Sequence, residues 1–389
     1  MTTNENDIRI EIGAETYADI CDTVERICAE FPAEYWRSLE DRPLGERYPA
    51  DFILAMGEAG IMAALVPDAF DGAGLPLAAA AAIVETVHAS GCDAALLTQQ
   101  FRMTTVIAGS ANEALKQAVL PRLADGSLTL QAFAQDAPVG GGFEDCAASV
   151  SGGGIELTGA KTGVRAARES GGMIVSVQDA SDGGSATALY YIEAPKDVDG
   201  LSMVSYGEMT NTCAADVSFD HVSLPVGSVI AEGEAGQALV IAADSVLRIL
   251  EASAAIGDGR FFSKKGAAYA NERIVFGNPI GKYQGIQFPL AKAHIEVEAA
   301  SVGLKRAIAL YDAGADAAVA SSVAHYLAME AAWNMADAAF TTHGGFAFAR
   351  EYDIERKWRD VRAMKLSSVP YQGDLTDIGE MALGMPRSF

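Results

Sequence analysis

The sequence predicts an α+β chain of several segregated domains, and three observations carry that prediction. Helical patterns over residues 1–130, short strand-like runs over 131–235 and long helical patterns over 236–389 follow one another as blocks, without the alternation of a parallel α/β sheet. The length of 389 residues exceeds one ordinary domain. The composition, 50% hydrophobic and 21% charged, belongs to a chain that buries a large core and excludes disorder or a collagen-like repeat.

In the first block, apolar residues recur every three to four positions in DFILAMGEAGIMAALV (51–66), LPLAAAAAIVETVHA (75–89) and NEALKQAVLPRLADG (112–126), which predicts helices. PDAFDGAGLP (67–76) reads as a turn-rich loop between them. In the second block, LTLQAFAQ (128–135), GIELTGAK (154–161), GMIVSVQ (172–178), ATALYYIEA (186–194) and AADVSFDHVSLP (214–225) read as strands separated by Gly, Asp and Ser clusters. The third block returns to helix over 238–276, 287–314 and 321–343, with a last helical segment after Tyr352.

The formal charge is −24, from 28 basic and 52 acidic residues, so nucleic acid and anionic membranes are disfavoured as partners. A small anionic cofactor would need a local cluster of Arg, Lys or backbone N–H groups. Five cysteines, at 21, 28, 92, 146 and 213, form no CxxC pair and read as reduced thiols. The polar, acidic start MTTNENDIRIEIGAE has no signal-peptide character, and no alanine-rich run is long enough to span a membrane, so the expected location is cytoplasmic. No G-x-S-x-G elbow occurs, and no G-x-G-x-x-G links a strand to a helix, which disfavours a serine hydrolase and a Rossmann dehydrogenase.

Two stretches near the C-terminus carry more chemistry. ERIVFGNPIGKYQGIQ (272–287) sits where one predicted helix gives way to the next, and THGGFAFAREYDIERKWRD (342–360) follows the third. Arg273 beside Phe276 offers a guanidinium that can grip a pyrophosphate with paired N–H donors, or alternatively pair with Glu272 on the surface. Gly344 and Gly345 let backbone approach a ligand closely. His343 has no paired His or HExxH around it, and a metal role is not expected.

Together these stretches resemble the acyl-CoA dehydrogenase family, and MGEAGIMAALVPDAFDGAGLP (56–76) and VSFDHVSLPVGSVIAEGEAG (217–236) are similar to its first-domain loop and the end of its β-domain. The resemblance implies an N-terminal all-α domain (1–130), a middle β-barrel-like domain (131–235) and a C-terminal four-helix bundle (236–389). It also implies FAD, an acyl-CoA thioester substrate oxidised at Cα–Cβ, and a homo-oligomer, dimer or tetramer. On this resemblance Gln135, Arg165, Arg273, Phe276, Gln284, Thr341, His343, Gly344 and Gly345 fall at cofactor-contacting positions, and Arg102, Leu247 and Arg248 near the acyl group.

The family's catalytic base, a Glu that removes the α-proton, has two usual positions. The first, counted from Asp360, is Ser368, or Gln372 when YQG is set against the family's YEG; the second is Leu247, before Arg248. None is acidic, and an amide is no base. The W-I-[ST] that meets the flavin ring is matched by Gly163, Val164 and Arg165, and its [ST]-E-P-x-A-G-S-D loop by residues 135–142, with hydroxyls lost. Asp244 and Glu251, three residues before and four after Leu247, share its helix face and are the candidate substitute bases; in helices this acidic a solvated or ion-paired acid is the simpler reading of each, and Arg248 is placed to pair with Glu251. Arg165 and Arg102 are extra cations, suited to a substrate carboxylate or sulfinate, to part of the flavin site, or to an exposed rim. Three functions stay open: a dehydrogenase with a displaced base, a non-oxidative acyl-CoA lyase or eliminase, and a non-catalytic subunit working with a catalytic paralogue.

Overall fold

The computed structural model describes residues 17–135, 146–151, 154–179, 186–211, 213–366 and 371–386. Among these, six helices come first: α1 (Ala18–Glu30), α2 (Ala33–Glu40), α3 (Ala50–Glu58), α4 (Leu77–Ala89), α5 (Ala95–Ala108) and α6 (Glu113–Ala124). Eight strands follow: β1 (Leu130–Ala134), β2 (Ala147–Ser151), β3 (Gly154–Arg165), β4 (Gly172–Asp179), β5 (Ala186–Glu193), β6 (Leu201–Ser205), β7 (Ala214–Pro225) and β8 (Val229–Ala231). The 40-residue α7 (Gly233–Glu272) leads to a hairpin, β9 (Ile274–Val275) and β10 (Asn278–Pro279). Then come α8 (Gln284–Asp312), α9 (Ala318–His343), α10 (Ile354–Met364) and α11 (Tyr371–Asp377). The chain forms two compact units. One gathers Met1–Glu40, Pro76–Ala94 and Arg248–Phe389; the other gathers Asp41–Leu75 and Ala95–Leu247.

The second unit holds two four-stranded sheets, β1-β4-β5-β8 and β2-β3-β7-β6. β1 runs parallel to β4, and every other pairing is antiparallel. Alternation along β4 decides how the first sheet is used, because successive side chains point to opposite faces. Met173, Val175 and Val177 join Leu157, Val217 and Phe219 in one core, while Ile174 joins Met103, Val106 and Leu120 of α5 and α6 in another. The sheet is therefore covered on both sides, and β4 reads as a near-continuous apolar run. One expectation is corrected here. The helix anticipated over 51–66 stops at Glu58, because Gly60 takes a left-handed φ of 72° and the chain continues as a single 3-10 turn.

The first unit is helical. α8 and α9 pack along most of their length, with Ala324, Ala328, Ala332 and Ala336 forming a buried small-residue ridge on α9. α4 brings its alanines against α7 so closely that a Cβ on Gly257 would lie 2.4 Å from the Glu85 carbonyl oxygen. Glycine is required there by proximity rather than by backbone angle. Gly257→Val is expected to lower stability by about 3 kcal/mol, read as a shift in the urea midpoint with little change in slope.

Candidate functional site

Three carboxylates stand seven residues apart on α7: Asp244, Glu251 and Asp258. Seven residues are close to two helical turns, so the three share a face with a drift of about 20° per step. Each meets a cation from another element. Arg102 of α5 donates through Nη2 to Asp244 Oδ1 at 2.5 Å, and its guanidinium lies 4.5 Å from the centre of the Phe133 ring. His325 of α9 places Nε2 3.4 Å from Glu251 Oε2. Lys357 of α10 lies 2.6 Å from Asp258 Oδ1, and His88 of α4 lies 3.1 Å from the same oxygen. Lys357 also donates to the Cys92 carbonyl at 3.0 Å.

The middle pair belongs to a longer chain of charges. His325 donates from Nδ1 to Asp374 Oδ2 at 2.5 Å; Arg248 donates from Nε to Asp374 Oδ1 at 3.0 Å and from Nη2 to Asp377 Oδ2 at 2.5 Å. His325 and Asp374 are wholly buried, and Glu251 nearly so. Burial by itself pulls the imidazole toward neutrality, but the hydrogen bonds and charges of Asp374 and Glu251 outweigh it and raise His325 to about 9. The expected pairing of Arg248 with Glu251 is replaced: Arg248 binds the two α11 acids, which the fold brings to it across 126 and 129 residues. His325, Asp374 and Asp377 escaped the sequence reading. The available signal was the pair of acids three apart immediately after YQG, a spacing that puts both on one face of a short helix.

The usual base positions are of three kinds. Leu247 is buried, Gln372 is exposed, and Ser368 lies outside the described residues. Arg102 is buried rather than on an exposed rim, and it donates to Asp244 and to Gln135 Oε1, the latter at 2.9 Å. Gln135 is thereby engaged through its side chain. Val164 is buried, Gly163 donates to Asp216 Oδ1 at 3.2 Å, and Arg165 lies close enough to Glu208 to oppose the upward push of burial on that carboxyl. Residues 136–145 of the loop expected against the flavin ring lie outside the described residues.

At the other end of α7, Arg273 and Phe276 follow the helix, and Arg273 stands close to the turn that holds Gly344 and Gly345. Phe276 and Gly277 form the two-residue loop of the β9–β10 hairpin with φ of 50° and 77°, both positive, as a type I′ turn requires. Phenylalanine is a strained choice there, and its side chain is 92% exposed. The Arg273 guanidinium stands 5.9 Å over the Phe346 ring, beside the turn that holds Gly344 and Gly345. Gly344 has φ 59° and ψ −133°, a conformation open essentially to glycine alone, and a Cβ on either glycine would meet nothing within 4 Å. Gln284 and Thr341 are exposed, whereas His343 turns inward, stacks on Tyr269 at 4.2 Å and donates from Nδ1 to the Ala339 carbonyl at 2.7 Å. An exposed guanidinium beside open glycine backbone fits a pyrophosphate and its sugar.

Comparison with known proteins decides the family. The acyl-CoA dehydrogenase N-terminal domain matches residues 14–127, and the acyl-CoA dehydrogenase C-terminal domain matches residues 234–368. The chain belongs to the acyl-CoA dehydrogenase family. Acyl-CoA dehydrogenase FadE12 of Mycobacterium tuberculosis is 28% identical over 371 residues, covering 93% of this chain and 94% of that one. Among solved structures, the ChsE4–ChsE5 complex of Mycobacterium tuberculosis superposes with a TM-score of 0.84 at 19% identity, over 95% of this chain and 97% of that chain. A glutaryl-CoA dehydrogenase of Mycobacterium smegmatis in complex with FADH2 gives the same TM-score of 0.84 at 19% identity, over 96% and 95%. Among the described residues, no helix is long and apolar enough to cross a membrane.

The His325 pairing has a measurable consequence. Its folded value lies above the unfolded value of about 6.5, so its contribution is fully present below that pH and is lost as the pH rises through about 9. Urea midpoints of the native chain are expected to fall between pH 6.5 and 9.5. His325→Gln is expected to be less stable by roughly 3 kcal/mol at pH 7 and to lack that alkaline decline.

Proposed function

We propose that this chain is an FAD-binding subunit of an acyl-CoA dehydrogenase assembly that acts on the Cα–Cβ bond of an acyl-CoA thioester, with the α-proton base furnished by a paralogous partner chain. The observation that supports this most is the engagement of both substitute carboxylates: Asp244 is held by Arg102 and Glu251 by His325. A base must exchange a proton with substrate, and an acid that neutralises a buried cation leaves that cation uncompensated when it does so. Leu247 and Gln372 have no proton to exchange.

FAD, when bound, supplies the hydride acceptor. On this reading Arg273 grips its pyrophosphate, the open backbone of Gly344 and Gly345 admits the adenosine portion, and Gln284 and Thr341 lie on the same end of the helical unit. The same unit exposes Phe288, Ile295 and Val302, each seven residues after the last on α8, an apolar seam suited to another subunit. A two-chain assembly is the arrangement named for the ChsE4–ChsE5 neighbour.

A second reading rests on Glu251 alone. It is buried one turn beyond Leu247, and His325 behind it would accompany its proton transfers; the chain would then be a complete dehydrogenase with a displaced base. The two readings part in one experiment. The chain purified with FAD is titrated anaerobically with a panel of acyl-CoA thioesters while the flavin band is followed. Bleaching is expected only after co-expression with a paralogue that carries a Glu at the position of Gln372, with a rate at least about 100-fold above that of the chain alone. Bleaching by the chain alone at the full rate overturns the proposal, and its loss in Glu251→Gln would then establish the second reading.

A further inference from the structure

Within the helical unit, α4, α7 and α8 line a partly open cavity of about 70 Å³ that belongs neither to the Arg273 group nor to the acidic stripe of α7. One wall is apolar, made by Ala81 and Ala82 of α4 with Leu304 and Ile308 of α8. The other wall carries Arg260 of α7 and Lys305 of α8, with Glu85 between the helices. Arg260 spends Nη1 on Glu85 Oε1 at 2.6 Å, but its Nε is buried without a hydrogen-bond partner. Lys305 is half-buried and has no ion-pair partner within 4.0 Å among the described residues. The lining thus holds two cations against one carboxylate; the exposed Glu298 acts on Glu85 from outside it.

The hydroxyls sharpen the chemistry. Thr86 donates to the Ala82 carbonyl at 2.8 Å, Ser253 to Ile249 at 2.8 Å and Ser301 to Glu298 at 2.7 Å. Their protons are committed, and only lone pairs remain toward the cavity. The donors left for a guest belong to Arg260, whose Nε has no partner, and to Lys305, both charged. A guest must therefore accept charge-assisted hydrogen bonds at one end and be apolar at the other. A sulfate or phosphate, polar on every side, would press unsatisfied oxygens against the alanine wall. The volume is about half of one that holds benzene and the cavity is partly open to solvent, so only a guest of a few non-hydrogen atoms fits, with its polar end at the mouth.

We propose that this cavity binds a short-chain monocarboxylate of two or three carbons, its carboxylate on Arg260 and Lys305 and its alkyl end against Ala82, Leu304 and Ile308. Its lining shares no residue with the Arg273 group, and its test needs neither flavin nor thioester. The full chain is titrated with sodium propanoate by calorimetry at pH 7, with propionamide and sulfate as comparison ligands. Saturable binding of propanoate alone is expected. Lys305→Met, at a half-exposed position that leaves the fold intact, is expected to weaken it about tenfold, and Ala82→Leu, which fills the cavity, to abolish it while circular dichroism is unchanged. Absence of saturable propanoate binding, equal affinity for sulfate, or unaltered binding in Lys305→Met overturns the proposal. Should Ala82→Leu fail to fold, Lys305→Met decides alone.

Discussion

A carboxylate carried into a protein interior must find a cation there, because neither its desolvation nor its self-energy is tolerable unpaired. Helix α7 carries three of them on one face, and each is met by a different element: Asp244 by α5, Glu251 by α9 and Asp258 by α10. Turning α7 by one residue would swing every acid about 100° away from its partner. The rotation of α7 is therefore fixed by charge as well as by its apolar neighbours, and α9, α10 and α11 take their positions from the same pairs.

That constraint has a chemical counterpart. A group that holds a fold together by staying ionised is poorly suited to exchanging a proton in each turnover. Of the positions that the resemblance gives for a base, Leu247 is apolar and buried and Gln372 is an exposed amide. Asp374, two residues beyond Gln372, is buried and tied to both Arg248 and His325. The short helix that carries Gln372 is thus anchored from its buried face by two charged groups of other helices.

The far end of α7 shows the opposite economy. Overall charge is −24, yet Arg273 stands exposed over an aromatic ring beside glycine backbone, next to a hairpin whose loop carries Phe276 in a left-handed conformation. Strain of that kind persists where the surrounding structure holds it for a purpose. A local cation surrounded by open backbone can recruit an anion that the global field repels.

Periodicity alone determined the order of helical, β and helical blocks, and the runs at 154–161, 172–178, 186–194 and 214–225 fall on β3, β4, β5 and β7 nearly residue for residue. Alternation and helical spacing are local properties, so they can be read one window at a time. The short β2, β6 and β8 were not legible, since three to five residues carry little pattern and depend on neighbours to pair. The motifs that mark the family, and with them Arg273 and the Gly344–Gly345 turn, were also legible as residue types in order. What only the tertiary structure decided is which charge meets which. Arg102 and Asp244 are 142 residues apart and Arg248 and Asp374 are 126 apart, and a sequence shows that such groups exist but not which of them burial will force together. Partner choice depends on the three-dimensional dielectric around each group, and that field exists only once the chain has folded.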